Sequence, residues 1–264
     1  MHKILFPESY NEYIQAAAAH LRSEGVCEPV LELCDLPAAC KMLADGEVDA
    51  MVAGIDYSSR DVILACRDVL GMAGPEPAPG EKKIFSSLFV ADFPDGRRII
   101  LGDGATCKNP TEMQLADIVE LINDAASRIF GEDPRIAMLS FSTFGSGGSD
   151  PSMDKIRDAI SLVRNRRPDI VVDGEMQLDA AVNPRIGEKK ATIKGGSEVA
   201  GHANVLITPD INSGNILYKS VEQFAHAKLA GPILLGFNYP VSDLSRGSTP
   251  EDVVFTTECL MKLI

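Results

Sequence analysis

A chain of 264 residues, 45% hydrophobic and 24% charged, holds enough material for one large core or two modest α/β lobes and shows no low-complexity tract. Its formal net charge of −13 opposes wrapping nucleic acid or lying on an anionic membrane, although a local basic cluster can still hold a phosphate inside a pocket. The apolar run Ile4–Phe6 is too short for a signal peptide, and no stretch reaches the roughly 20 apolar residues of a membrane span. Six cysteines without a CxxC pair read as reduced thiols of a cytoplasmic protein.

Short apolar runs mark strands at Lys3–Phe6, Pro29–Leu33, Asp49–Ala53, Lys83–Phe93, Arg98–Leu101, Arg135–Phe141, Asp169–Val172, Asn204–Thr208 and Pro232–Gly236. Between most of them lie segments with apolar residues at helical spacing, such as Ile156, Ile160 and Val163. Strands alternating with helices predict parallel sheets with crossover connections. Asn109-Pro110-Thr111-Glu112 places a cap, a first-turn proline and an acidic third position ahead of a helix ending near Gly131. Asp150-Pro151 and Thr249-Pro250-Glu251-Asp252 open two more, and Pro75–Gly80 reads as a loop.

Four segments carry candidate chemistry. Phe141–Pro151 runs from a strand through glycines and hydroxyl residues into a helix. Such a loop can aim several backbone N–H groups, with the positive end of a helix, at one phosphate; a flexible connection is the equal alternative. Asp173, Glu175 and Asp179 follow an apolar strand. They suit a Mg²⁺ site or an acid/base pair, but capping of the next helix needs fewer assumptions. Lys219 sits inside a helix following Thr208-Pro209-Asp210, where it reaches a crevice at the strand's carboxyl end or simply stands in solvent. His202 has no Ser or Cys nucleophile placed beside it and reads as structural. In Asp243-Leu244-Ser245-Arg246-Gly247, an arginine beside a serine and a glycine can grip a phosphate bidentately. Asp252 occupies the third position of a helix capped by Thr249, where a carboxylate is stabilising without any chemistry.

Taken together and in order, these segments resemble the phosphate acetyl/butyryltransferase family, phosphotransacetylases included. The resemblance rests on Ser140-Phe141-Ser142-Thr143, Asp173-Gly174-Glu175 with Gln177, Val199-Ala200-Gly201, Asn204–Ile207, Gly214-Asn215-Ile216 with Tyr218-Lys219, Gly231-Pro232-Ile233 and Pro240–Gly247. Phe6-Pro7-Glu8 and Asn109-Pro110-Thr111 fit as well. It implies an α/β fold of two lobes of the isocitrate/isopropylmalate-dehydrogenase-like type with an interdomain cleft, usually as a homodimer. A discontinuous N-terminal lobe would comprise 1–92 plus 240–264 and be closed by the last helix; a second α/β lobe would span 93–239.

The implied reaction is acyl-CoA plus phosphate giving acyl phosphate plus CoA, with no metal or prosthetic group and only these small-molecule partners. Carried onto this chain, Ser245 and Arg246 match the catalytic pair and Asp252 the base, while Ser142, Thr143, Gly145, Ser146, Asn215 and Lys219 contact substrate. The chain departs from the acetyl branch where Phe144, Gln223 and Leu64 replace basic residues, and Gly104 a cysteine. Acetyl transfer is the leading expectation. Longer-chain butyryl-type specificity and a non-catalytic acyl-CoA or acyl-phosphate binder remain open, with a metal-dependent dehydrogenase or lyase built on Asp173, Glu175, Asp179 and Asp210 ranked last.

Overall fold

A computed structural model describes residues 1–73 and 82–264, so the expected Pro75–Gly80 loop lies outside the described residues. They form two compact units, Met1–Phe85 with Lys228–Ile264 and the continuous stretch Ser86–Ala227. The first unit begins with β1 (Lys3–Phe6), α1 (Glu12–Ser23), β2 (Glu28–Leu31), α2 (Leu36–Ala44), β3 (Ala50–Ala53) and α3 (Ser59–Val69). The second runs through β4 (Ser86–Asp92), β5 (Arg98–Gly102), α4 (Glu112–Phe130), β6 (Arg135–Leu139) and α5 (Pro151–Arg166). It continues with β7 (Val171–Met176), α6 (Leu178–Val182), α7 (Pro184–Ala191), β8 (Val205–Ile207) and α8 (Ile211–Ala225). The chain then returns to the first unit with β9 (Lys228–Leu235), β10 (Val241–Asp243) and α9 (Pro250–Met261).

In the first unit the strands lie in the order β2-β1-β3-β10-β9, all parallel except β9. All four residues of β3 are buried, as expected for a parallel strand covered on both faces. Helix α1 turns Ile14, Ala17, Ala18 and Leu21 inward at helical spacing and packs on α9. Leu5, Leu43, Met51, Val62 and Val241 share one buried cluster, each large side chain contributing about 1.5–3 kcal/mol of burial.

In the second unit the order is β4-β5-β8-β6-β7, with only β4 antiparallel. Helix α4 buries Leu115, Ile118, Val119 and Ile122 and packs against α5. Its boundaries correct the expected start. Thr111, not Asn109, is the cap, bonded reciprocally with Gln114, while Gly131 closes the helix in the left-handed region at φ 72°.

The expected unit boundaries at 92/93 and 239/240 fall instead at 85/86 and 227/228. The pairings explain the displacement. Strand β4 forms an antiparallel ladder with β5 from Leu88↔Gly102 to Asp92↔Arg98, and β9 pairs with β10 at Val241↔Leu234. Each strand therefore goes with its hairpin partner.

Candidate active site

The strand order in the first unit reverses between β1 and β3, and ligands of α/β sheets collect outside the carboxyl ends at such a point. Three elements emerge there. Glu8, just past β1, is 1% exposed, and its carboxylate accepts from the backbone N–H groups of Gly54 (2.7 Å), Ile55 (3.3 Å), Asp56 (2.6 Å) and Tyr57 (2.9 Å). Charge-assisted bonds of this kind contribute about 1.5–3 kcal/mol each, so one side chain fixes the whole turn between β3 and α3. Beside it β10 ends at Asp243, opposite Ala53, and the Leu244 N–H donates to Ala53 O at 2.6 Å.

From there the chain turns outward. Ser245, Arg246 and Gly247 are exposed, the Ser248 N–H closes the turn on Ser245 O at 2.9 Å, and Ser248 is buried beneath. Among the described residues Arg246 has no acidic partner, so its guanidinium is presented to solvent with all its donors. The turn runs directly into α9. There Thr249 N–H and Oγ1 both donate to Asp252 Oδ2 at 2.9 Å, and Asp252 N–H donates back to Thr249 Oγ1 at 3.2 Å. The capping role expected from sequence is thus present, while among the described residues Asp252 Oδ1 accepts no hydrogen bond.

In the second unit the glycine loop is built inside out relative to a phosphate cradle. The Gly145 amide, the Ser142 hydroxyl and Arg157 converge on one carboxylate, but that carboxylate is the protein's own Glu175. Gly145 N–H (2.8 Å) and Ser142 Oγ (2.9 Å) donate to Glu175 Oε1, Arg157 holds both of its oxygens at 3.0 and 3.1 Å, and Phe144 N–H donates to Glu175 O. Gly147 N–H donates to Ser142 Oγ, and the Ser146 and Gly148 N–H groups close local turns. Ser142 and Thr143, expected as substrate contacts, are buried, and the Thr143 hydroxyl donates to Gln177 Oε1 while accepting from the Gln177 N–H. Gly145 and Ser146 stay on the exposed rim. Burial pushes the Glu175 carboxyl up, but Arg157, the Gly145 amide and Ser142 outweigh it and hold it below the usual carboxylate range.

An opening in this unit lies instead where β6 and β8 end side by side and α5 and α8 begin. A pocket of about 480 Å³ there is lined by apolar Leu139, Phe141, Ile156, Leu178 and Leu217 and by Asn109, Ser152, Lys155, Asp210 and Ser213. The Lys155 ammonium donates to Pro209 O at 2.9 Å and Asn109 Oδ1 at 3.2 Å, leaving one N–H. Burial draws its pKa down against the opposing pull of Asp210 and Glu112. Lys219 does not line this pocket. It is exposed, its ammonium lying 4.9 Å from the Tyr218 ring, while Asn215 Nδ2 reaches the Tyr218 hydroxyl at 3.4 Å and Gly104 O at 3.5 Å. Gly214 lets α8 approach this closely, since a Cβ there would stand 2.4 Å from Asp103 O. Lys155 and Arg157 escaped sequence reasoning, since each is one charge on an amphipathic helix whose partner lies on another element.

The other carboxylates are accounted for. Asp173 binds Lys194 at 2.5 and 2.6 Å, Arg164 at 3.1 Å and Ser197 at 2.5 Å; Asp210 caps α8 through the Ser213 N–H. Among the described residues no group of three His, Cys, Asp or Glu is arranged to hold a metal ion. Phe144, with φ 48°, lies under the Lys194 ammonium at 4.4 Å; Leu64 is half-buried and Gln223 exposed. No helix among the described residues is long and apolar enough to cross a membrane.

Comparison with known proteins agrees with this architecture. The phosphate acetyltransferase of Clostridium acetobutylicum is 41% identical over 221 residues, 82% of this chain, and the chain spans 63% of that relative's own length. The structure of a phosphotransacetylase from Streptococcus pyogenes superposes with a TM-score of 0.85 at 30% identity, covering 99% of this chain and 93% of the other. At 10% identity, a 4-hydroxythreonine-4-phosphate dehydrogenase from Salmonella typhimurium shares the fold alone, with a TM-score of 0.56 over 100% of this chain and 99% of that one. The dehydrogenase-like α/β fold expected from the sequence is the one adopted. Residues 34–260 match the family described as phosphate acetyl/butaryl transferase, and the chain belongs to that family.

Proposed function

We propose that the chain is a phosphate acyltransferase, moving an acyl group, acetyl foremost, between CoA and phosphate. The observation that carries this reading is Arg246, an exposed guanidinium without an acidic partner among the described residues, held beside Ser245 on a turn braced by β10 and α9. In the direction of acyl-CoA synthesis, the CoA thiol loses its proton to Asp252 Oδ1 and the thiolate attacks the acyl-phosphate carbonyl carbon. The C–S bond forms, Arg246 and the Ser245 hydroxyl offset the charge of the tetrahedral oxyanion, and collapse breaks the bond from carbonyl carbon to phosphate oxygen. Phosphate departs with the electron pair, and no acyl-enzyme is needed because both substrates are held together. A thiol of pKa about 8.5 is mostly protonated at neutral pH, so a positioned base is useful.

The second-unit pocket, with apolar walls and nearly balanced charge at Lys155 and Asp210, suits the neutral amide-bearing arm of CoA better than its phosphates. Ile216 (66% exposed) and Phe224 (84% exposed) on α8 support a homodimer that covers them, and the six thiols suit the cytoplasm.

The test is release of CoA thiol from acetyl-CoA and butyryl-CoA with and without phosphate. Phosphate-dependent release is expected, faster for acetyl-CoA; its absence with every short acyl-CoA refutes the proposal. The commitment of Asp252 Oδ2 to the cap favours one alternative, a non-catalytic binder, which would bind CoA calorimetrically without turnover.

A further inference from the structure

We propose that Asp243 is a positioning residue which holds the Ser245–Arg246 turn in place as a neutral carboxylic acid. The inference rests on the acyltransferase reading of that turn. Asp243 ends β10 two residues before Ser245, is 1% exposed, and carries an Oδ1 that meets no hydrogen-bond partner among the described residues. Ser59, at the start of α3, favours the ionised form of the carboxyl only weakly. Gly54, φ 104°, presses its Cα against the same spot: a Cβ there would stand 2.3 Å from Asp243 Oδ1 and 2.8 Å from the Leu244 nitrogen. The ends of β3 and β10 are thus interlocked around this one carboxyl.

The titratable groups facing it are Glu8, from the segment after β1, and the Cys66 thiol of α3. Neither is a cation. An ionised Asp243 would stand buried, with one oxygen unpartnered among the described residues, beside the carboxylate that organises the adjoining turn, and neither group facing it offsets that charge. Burial and the Glu8 charge accordingly push its pKa up to about 7, against the pull of Ser59. Protonated, the side chain fits the space. Ionised, it repels Glu8 across Gly54 and loosens the junction from which Leu244, Ser245 and Arg246 depart. The reaction then acquires an alkaline limb set by a group that touches no substrate.

The experiment compares wild type with Asp243→Asn, which stays neutral at every pH, using kcat/KM for phosphate from pH 5.5 to 8.5. Titration of phosphate and of the CoA thiol is common to both proteins and cancels in the ratio. The two should agree within about twofold at pH 6, and wild type should fall at least about fivefold behind by pH 8.5, mainly through KM for phosphate, the ligand assigned to Arg246. A ratio that stays constant across the range overturns the proposal, as does an Asp243→Asn protein that is folded but inactive throughout.

A second measurement needs no turnover. The melting temperature of wild type should drop relative to Asp243→Asn as pH rises from 5 to 8, since a group with raised folded pKa loses its contribution through that pKa. Diverging melts without phosphate-dependent turnover in either protein would sink the acyltransferase reading and leave the neutral acid standing. Parallel melts would sink the neutral acid itself.

Discussion

Replacing Glu175 by alanine tests whether the glycine loop is organised from within. The change strands the Gly145 N–H, the Ser142 hydroxyl and the Arg157 guanidinium, all of which now point at one carboxylate. The Ser142 hydroxyl is fully buried and its loss costs about 1–3 kcal/mol, while the Gly145 N–H, on the exposed rim, is partly resolvated and costs about 1 kcal/mol. The Arg157 side chain is 37% exposed, and resolvation by water reduces its share to about 1 kcal/mol or less. The total is about 4 kcal/mol, a large part of the ~5–15 kcal/mol stability of an ordinary domain. Urea titration followed by circular dichroism at pH 7 measures it, with m unchanged if only the native state is affected. Glu175→Gln keeps one acceptor but turns an amide toward donors, and should cost about half as much. Because the folded pKa of Glu175 is held below its unfolded value of about 4.3, its contribution is complete above that value and is lost as pH falls through the folded pKa. The gap between wild type and Glu175→Gln should therefore narrow toward pH 3. A Glu175→Ala cost below 1 kcal/mol, or a gap indifferent to acid, would refute the internal-carboxylate account.

Arg246→Ala should lower kcat/KM for phosphate about 10²–10³-fold with little change in melting temperature, given the exposure of the side chain; near-normal kinetics would remove Arg246 from the site. Lys155→Met should raise KM for acetyl-CoA about tenfold and leave KM for phosphate unchanged, and the reverse pattern would reassign the second-unit pocket. Asp252→Asn separates capping from catalysis: a loss of turnover of about 10²-fold with a stability change under about 1 kcal/mol supports the base, whereas equal turnover leaves only the cap. Gly54→Ala places a methyl 2.3 Å from Asp243 Oδ1 in a left-handed backbone and should destabilise by about 3 kcal/mol in a urea melt.

Much of this was legible in the sequence because local signals and tertiary structure agreed. Apolar runs marked β1, β3, β6 and β8, and Asp150-Pro151 and Thr249-Pro250 marked the starts of α5 and α9. Strand β10 was missed: three residues, two of them polar, carry no periodicity, and only the flanking β3 and β9 make Ser242 and Asp243 interior. Strand β7 was expected to stop at Val172 but runs on to Met176, since Asp173 and Glu175 read as loop until Lys194 and Arg157 neutralise them. The glycine loop shows the same limit. Its composition suits an anion, but composition cannot say whether the anion is a ligand or a side chain more than thirty positions along, as Glu175 is from Ser142, nor that only the Gly145 amide meets it.

The interrupted path of the first unit also bears on how the chain is made. Ser86–Ala227 is continuous and can fold as soon as it leaves the ribosome, as contiguous units generally do. The first unit must wait, for β10 is an interior strand lying between β3 and β9, and it is synthesised after the whole second unit. Until then β3, whose four residues are all buried in the finished protein, offers an open apolar edge to any neighbouring chain. Nascent chains stalled before Val241 should therefore aggregate through β3 and not through the second unit, and a pause during synthesis of β9 and β10 would prolong that exposure.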